Sequence, residues 1–442
     1  MIVPPANDQI LGEGAPKVQA IALAMTEGRY CLTDVATNRG ATRRDLLRGA
    51  GVAAAMLPAA AIAAPVAGFG DDFAITGTYI DAAYCHPQPR KAIEAARAYI
   101  DQRFANPQSV GPRANPRNLA VGRFAGLTNV APADIAVVPS TMVGENMLCA
   151  ALGIGRDAGV VTDIMHYDGS LAVYGELAAR GTPVEVVPMR PEGIDLVHYR
   201  DAISPRTKLI AISLVSSTTG QMHDLAALCE IAHAKGVLVY ADIVQAAGAV
   251  PIDLSASGVD FACCGTYKWL MGEYGVAFLY IRPDRLERLK RTQVGWRQLK
   301  NFESHVLPLD TPGPAIGPYE LRDGAVGLFE VATPAWQALA IAAASIEQLA
   351  KVGPEAIMRW RAPQIAQLRD ALKGRGFSPL APADCPGPIA SFAVADAAKR
   401  FREPLARAGI TVSLRDHWLR VSPSVYNSAE DITRLTGVLT AY

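Results

Sequence analysis

The chain has 442 residues, of which 50% are hydrophobic and 19% charged, a composition of globular, core-rich proteins rather than disordered or fibrous ones. Its 42 basic residues balance 42 acidic ones with no long run of either sign, which excludes the electrostatic footprint of a nucleic-acid or anionic-membrane partner and leaves a small-molecule substrate as the expectation. The length predicts about two or three domains, and seven cysteines without CxxC or paired-ligand spacing predict neither a disulfide framework nor a metal site.

From Thr42 the chain reads TRRDLLRGAGVAAAMLPAAAIAAP, with adjacent arginines, an apolar stretch from Gly49 to Ala63 and small residues near Ala61 to Ala64. This resembles a twin-arginine export signal, too short in its apolar part to span a membrane as a helix, and implies an exported, periplasmic protein. The long stretch before it makes Met25 a candidate start; if the segment is only a basic, Ala-rich extension, the protein stays in the cytoplasm. Residues 1–72 are read as this extension.

After Pro65 short β-branched runs alternate with helical patterns. The runs are Ile135 to Val138, Val160 to Asp163, Val184 to Val187, Leu209 to Leu214, Val237 to Ala241, Phe261 to Cys264 and Val276 to Ile281. Helical stretches lie between them at Val143 to Gly153, Ser170 to Arg180 and Leu225 to Lys235. Such alternation predicts an α/β fold whose mostly parallel sheet is covered on both faces and binds ligands at the carboxyl ends of its strands. The Pro- and Gly-containing stretch within Arg291 to Asp323 reads as a long loop. A large domain over 73–325 is therefore expected, followed by a smaller α+β domain over 326–442 that opens with a helix from Pro334 to Val352.

The segment YADIVQAAGAVPIDLSASGVDFACCGTYKWLMGEYG, from Tyr240 to Gly275, carries the chemistry. Asp242 closes a strand, Gln245 follows three residues later, and Lys268 comes just past the next strand in an apolar setting where an unpaired ammonium is costly. Together these match the needs of pyridoxal 5'-phosphate (PLP): a lysine amine to hold the cofactor as a Schiff base and a carboxylate against its pyridine nitrogen. Gln245 would donate to the phenolic oxygen of the ring. Taken singly, a strand-end Asp is often a helix cap and a lone Lys a solvated residue.

The segment around Lys268, GTYKWLMG, resembles the class V aminotransferase family of PLP enzymes, which includes cysteine desulfurases, kynureninase and isopenicillin N epimerase, and is most similar to the epimerase-like branch. The likeness runs from about Tyr79 to the C-terminus and implies a PLP-dependent transferase of fold type I. It assigns Ser140, Thr141 and Met142 to the cofactor phosphate, although the first two also suit plain helix caps. Tyr167 takes the ring-stacking position, with His166 beside it; Ser217 takes a polar contact to the ring hydroxyl or a turn role; Thr266 and Tyr267 join Lys268 in the cofactor site. Thr333, in FEVATP, would reach the phosphate of a partner subunit, implying a homodimer with shared active sites. Arg420, in WLRVSPSVYN, would grip the substrate α-carboxylate through two parallel bonds.

Cysteine desulfurases carry a nucleophilic cysteine on a loop before that arginine, whereas GITVSLRDHWLRVSP has none. The expected function is thus an enzyme acting on an α-amino acid through an external aldimine, by transamination or epimerisation, with Lys268 moving the proton at Cα. A carbon-sulfur lyase working by β-elimination is the alternative, and a non-catalytic PLP-binding homologue a third reading. Tyr84 and His86 are candidates for the substrate pocket, with Trp296 and the Arg415 to His417 segment. Arg297 and Arg415 either recognise a second acidic group or are merely solvated.

Overall fold

The structure is a computed structural model that describes residues 66, 69–70, 72–190, 193–303, 307–314 and 316–442. The export signal expected at residues 42–64 lies outside the described residues. Among those described, no helix is long and apolar enough to cross a membrane.

The central sheet has seven strands, β2 (Ile135–Val138), β3 (Gly159–Asp163), β4 (Val184–Val187), β5 (Thr207–Ser213), β6 (Leu238–Asp242), β7 (Phe261–Gly265) and β8 (Ala277–Ile281); the two-residue β1 (Thr78–Tyr79) lies outside it. Their order is β2-β8-β7-β6-β5-β3-β4, and β4, β3, β5, β6 and β7 run parallel to one another. Only β8 is reversed, pairing antiparallel with both β2 and β7. These are the seven runs read from the sequence, with ends differing by a residue or two.

The runs look continuously apolar because both faces are buried, and side chains alternate between two cores. Ile210, Ile212, Val239, Ala241, Ala262 and Cys264 face one core; Leu209, Ala211, Leu238, Tyr240, Phe261 and Cys263 face the other. The first core is closed by α2 (Pro116–Thr128) and the later α9 through residues such as Phe124 and Leu339, with α1 (Arg90–Ala105) packed on α9; the second by α3 (Thr141–Leu152), α4 (Asp168–Ala179) and the later α8. Helix α3 starts sharply at Ser140, whose hydroxyl accepts the Val143 N–H at 3.2 Å, and ends at Gly153 in the left-handed conformation. Helices α5 (Leu196–Ala202), α6 (Leu225–His233) and α7 (Leu254–Ser257) complete the crossovers.

The stretch expected as a loop contains a hairpin, β9 (Leu299–Phe302) with β10 (Tyr319–Leu321), followed by α8 (Gly324–Phe329), α9 (Trp336–Val352) and α10 (Pro354–Leu372). Beyond it, β11 (Ser378–Pro379), β12 (Ala390–Ala393), α11 (Ala397–Arg407), β13 (Ile410–Thr411), β14 (Ser413–Arg415), β15 (Trp418–Val421) and α12 (Ala429–Ala441) include an antiparallel sheet of order β11-β12-β15-β14. Ala338, Leu339, Ile346 and Leu349 of α9, and Ile357 and Trp360 of α10, belong to the first core of the large sheet; Ile365, Leu368 and Leu372 belong to the core of the small sheet. Changeover between the cores thus falls within α10, whereas the expected domain boundary stood at 326. Strand β1 pairs with β13 in a separate two-stranded sheet, Asp81 bridges to Ser422, and Ile80 joins the core of the small sheet, so the stretch around 78–81 packs with the C-terminal elements.

Two elements lock the turn after β7. Arg361 of α10 is buried, lies 5.1 Å from the Trp269 ring and donates to the Ala249 carbonyl. Gly248 packs its Cα against the Trp269 carbonyl at φ +89°; a Cβ there would stand 2.5 Å from that oxygen. Gly248→Ala should therefore lower stability by about 2 kcal/mol or more, read as a fall in the chemical-denaturation midpoint, while an unchanged midpoint would mean that the loop relaxes freely.

Candidate functional site

The site lies where parallel strands end and chain segments leave the sheet, which strips neighbouring side chains of water without a covering helix. Asp242 closes β6 and is 3% exposed; Lys268 follows β7 and is 7% exposed. The Val244 N–H binds Asp242 Oδ1 at 2.8 Å, and its Oδ2 meets no donor among the described residues. Burial pushes the Asp242 carboxyl up to about 6, against the pull of that N–H, His166 and Lys268. Burial also draws the Lys268 amine down to about 8, with Asp242 opposing and Arg420 assisting. Lys268 Nζ forms no hydrogen bond or ion pair among the described residues and lies 5.6 Å from the Tyr267 ring centroid. The amine is therefore poised to be neutral and nucleophilic within reach of neutral pH.

Ser140 caps α3, and the Thr141 hydroxyl accepts the Gly265 N–H at 3.0 Å, tying the helix start to the end of β7. The first N–H groups of a helix have no intrahelical acceptors and face an incoming anion with the positive end of the dipole. Tyr167 precedes α4 and is 42% exposed; Gly169 leaves room for its ring to fold back, since a Cβ there would stand 2.7 Å from Tyr167 Cε1. Tyr267 is held by stacking on Tyr274, with centroids 4.4 Å apart at 23°.

Arg420 is nearly buried and its guanidinium is heavily engaged. Nη1 donates to the Ser217 carbonyl at 3.0 Å, and Nη2 donates to Asp81 Oδ1 at 3.1 Å and to Ser413 Oγ at 2.9 Å. Its Nε is buried without a partner. Asp81, buried on the other side of the chain, is the feature sequence reasoning missed; its signal was a lone acid in the apolar alternation TYIDAAY.

Several expected site residues are placed otherwise. His86 is buried, with Nδ1 2.7 Å from the Pro87 carbonyl, Nε2 2.7 Å from Ser424 Oγ and its ring against Phe73 and Tyr426. Burial draws its pKa down to about 4, so it is a neutral packing residue with both nitrogens occupied. Tyr84 is 67% exposed on the rim. Gln245 donates from Nε2 to the Ala83 carbonyl at 3.0 Å and accepts the Trp269 indole N–H at 2.8 Å, leaving one amide hydrogen. The Thr266 hydroxyl is fully buried and donates to the Glu273 carbonyl, turned away toward the following turn. Ser217 meets Arg420 through its backbone, and its hydroxyl binds nothing described.

Thr333 is exposed and forms no hydrogen bond among the described residues. Arg297 is committed to buried Glu330 at 3.2 Å, beside the pair that Glu330 makes with Arg117. Among the described residues, Arg415 pairs with exposed Asp168 alone, at 3.4 Å, and lies 5.2 Å from the Trp418 ring. A cavity of about 560 Å³ lined by Arg117, Trp296, Phe302, Arg322 and Trp336 shares no lining residue with the Lys268–Asp242 cluster.

An unpaired lysine amine, a carboxylate with one free oxygen, a helix N-terminus and a half-exposed aromatic ring, all at one sheet edge, fit a phosphorylated pyridine aldehyde. Comparison with known proteins leads the same way. Residues 78–435 match the family described as aminotransferase class-V. The chain is 28% identical over 379 residues to isopenicillin N epimerase of Streptomyces clavuligerus, spanning 80% of this chain and 92% of that one. It is 29% identical over 321 residues to the uncharacterized aminotransferase YcbU of Bacillus subtilis, spanning 71% and 80%. Two solved structures of C-DES, the cystine C-S lyase in complex with cysteine persulfide and a mutant with glycine covalently linked to the PLP cofactor, share the fold. Their TM-scores are 0.73 and 0.72 at 23% identity, covering 83% of this chain and 98% and 97% of theirs. The chain belongs to the class V aminotransferase family of PLP enzymes.

Proposed function

We propose that this protein acts on an α-amino acid at Cα, by transamination or epimerisation, with Lys268 as the group that holds the cofactor and then carries the proton. The observation behind this is the pairing of a drawn-down, unpaired lysine amine with a buried carboxylate at the ends of neighbouring strands. Bound PLP supplies an electron sink for the negative charge that develops at the substrate Cα. Asp242, ionised, would hold the ring nitrogen protonated, the first turn of α3 would take the phosphate, and Tyr167 would cover the ring. Arg420 recognises the α-carboxylate and so orients the Cα hydrogen toward Lys268.

Lys268→Ala should abolish the visible band of the lysine-bound cofactor, and a wild-type protein without any such band would sink the reading. The reaction is resolved by incubating the holoenzyme with D- and L-amino acids in deuterated water. Deuterium at Cα without net product marks epimerisation, and amination of an added 2-oxo acid marks transamination. An oxo acid with ammonia marks the carbon-sulfur lyase reading, which uses the same residues and is favoured by the likeness to C-DES.

Asp81 adds a condition on substrate binding. A carboxylate approaching Arg420 finds Nη2 already taken, so the expected two-bond grip requires displacement of Asp81 or Ser413. Asp81→Asn leaves a nearly buried guanidinium uncompensated and should cost about 3 kcal/mol of stability. An α-amino acid should then raise the thermal midpoint of the variant by more than that of the wild type; equal shifts would place the carboxylate elsewhere.

The protein is also read as a homodimer in which Thr333 completes the partner's phosphate site, consistent with its exposed hydroxyl forming no hydrogen bond among the described residues. Mixing inactive Lys268→Ala and Thr333→Ala subunits should restore activity through the hybrid site free of both changes; no recovery above the unmixed variants counts against sharing. Export rests on the arginine pair at 43–44 and the apolar stretch behind it.

A further inference from the structure

We infer that Glu145 and His166 form a buried ion pair whose positive end faces Asp242 and keeps that carboxylate ionised, which makes both of them positioning residues for the cofactor. The inference rests on the proposed role of Asp242 at the ring nitrogen and adds to it two residues that take no part in the chemistry described above.

Glu145 lies on α3, one turn beyond the phosphate-binding end, and His166 lies on the segment between β3 and α4, next to Tyr167. Both side chains have no solvent exposure. His166 Nε2 stands 3.3 Å from Glu145 Oε1, and its Nδ1 stands 2.8 Å from Ser213 Oγ. The carboxylate of Glu145 also accepts the Tyr174 hydroxyl at Oε1 and the Ser170 hydroxyl at Oε2, both at 2.6 Å. Three donors converge on one carboxyl group, the arrangement that favours its charged form. Burial by itself would drive both members neutral; the attraction between them, with these bonds and, for His166, the weaker pull of Asp163 and Asp242, reverses it, holding Glu145 below and His166 above their ordinary values.

The orientation of the pair carries the consequence. Ser213, the partner of His166 Nδ1, is the residue beside Asp242 across the β5–β6 ladder. The histidine thus reaches toward the Asp242 side through Ser213, and in keeping with that placement its pull toward the charged form of Asp242 outweighs the opposing push of Glu145. The other titratable groups around Asp242 are the Lys268 amine, the Cys263 and Cys264 thiols and the Tyr240 and Tyr267 hydroxyls, and burial keeps these thiols and hydroxyls protonated. Stability does not account for the pair, because apolar residues of similar volume commonly serve a core as well as a buried ion pair does. An electrostatic duty at the adjacent carboxylate does account for it.

The test uses the holoenzyme, measuring cofactor affinity from the visible band against free PLP across acid to alkaline pH. Affinity falls on the acid side as Asp242 takes up a proton. His166→Gln and Glu145→Gln should each move that acid limb upward by about one pH unit. Loss of either member discharges the other, so the double variant should move the limb no further than the single ones. An unmoved limb in both single variants, or a double variant equal to their sum, overturns the pair. Histidine 15N spectra of the wild-type apoprotein decide the same point without a variant: an imidazolium for His166 at neutral pH is expected, and a neutral ring overturns it. If PLP did not bind at all, the proposed function would fall, yet this spectrum would still decide the ion pair.

Discussion

A lysine amine and a carboxylate stand at the ends of adjacent strands with almost no access to water, and much of the surrounding structure answers the question of how those charges are kept there. Desolvation opposes the charged form of both groups, raising Asp242 and lowering Lys268, so each needs specific help to hold the protonation state its role demands. Asp242 receives it from the Val244 N–H and His166. Lys268 has no hydrogen-bond or ion-pair partner among the described residues, and the same burial that would be costly for an ammonium makes its neutral form available.

The packing serves this edge from several directions. The turn bearing Lys268 is pinned from below by Trp269, which donates to Gln245, supports Arg361 and abuts Gly248. The small sheet closes the other side through Arg420, which reaches the large domain at the Ser217 carbonyl and the segment between β1 and α1 at Asp81. Three stretches far apart in sequence, around 81, 217 and 420, thereby converge on one guanidinium. A carboxylate ligand arrives at a cation that already has a carboxylate neighbour, which ties substrate affinity to how readily Asp81 yields.

Charge pairs recur beneath the visible site. Glu330 gathers Arg117, Arg297 and the Val137 N–H, and Asp163 accepts from Tyr199 and Met165. These nodes join residues from elements that are separate in the chain, such as Arg117 with Glu330 and Asp163 with Tyr199. The Glu145–His166 pair differs in lying beside the cofactor carboxylate, where a change of charge alters chemistry rather than packing alone.

Much of the fold was legible because it rests on local patterns. Runs such as Leu238–Asp242 and Phe261–Gly265, apolar on both faces, announce strands buried between helices, and an acid or lysine just past such a run stands out against it. Lys268, Asp242, the α3 cap at Ser140 and the missing loop cysteine could therefore be read in one dimension. The sequence could not say which polar side chains turn inward to each other. His86 and Thr266 have the right neighbours in the chain, but their polar atoms are already occupied, His86 by the adjacent Pro87 carbonyl and by distant Ser424, and Thr266 by the Glu273 carbonyl of the following turn. Arg297 was equally suited to bind a substrate or to meet Glu330, and only the fold placed it on Glu330. Asp81 met Arg420, and Glu145 met His166, across separations of 339 and 21 residues. Hydrophobic periodicity is a property of consecutive residues, whereas the compensation of a buried charge depends on whatever the completed fold brings within a few ångströms of it.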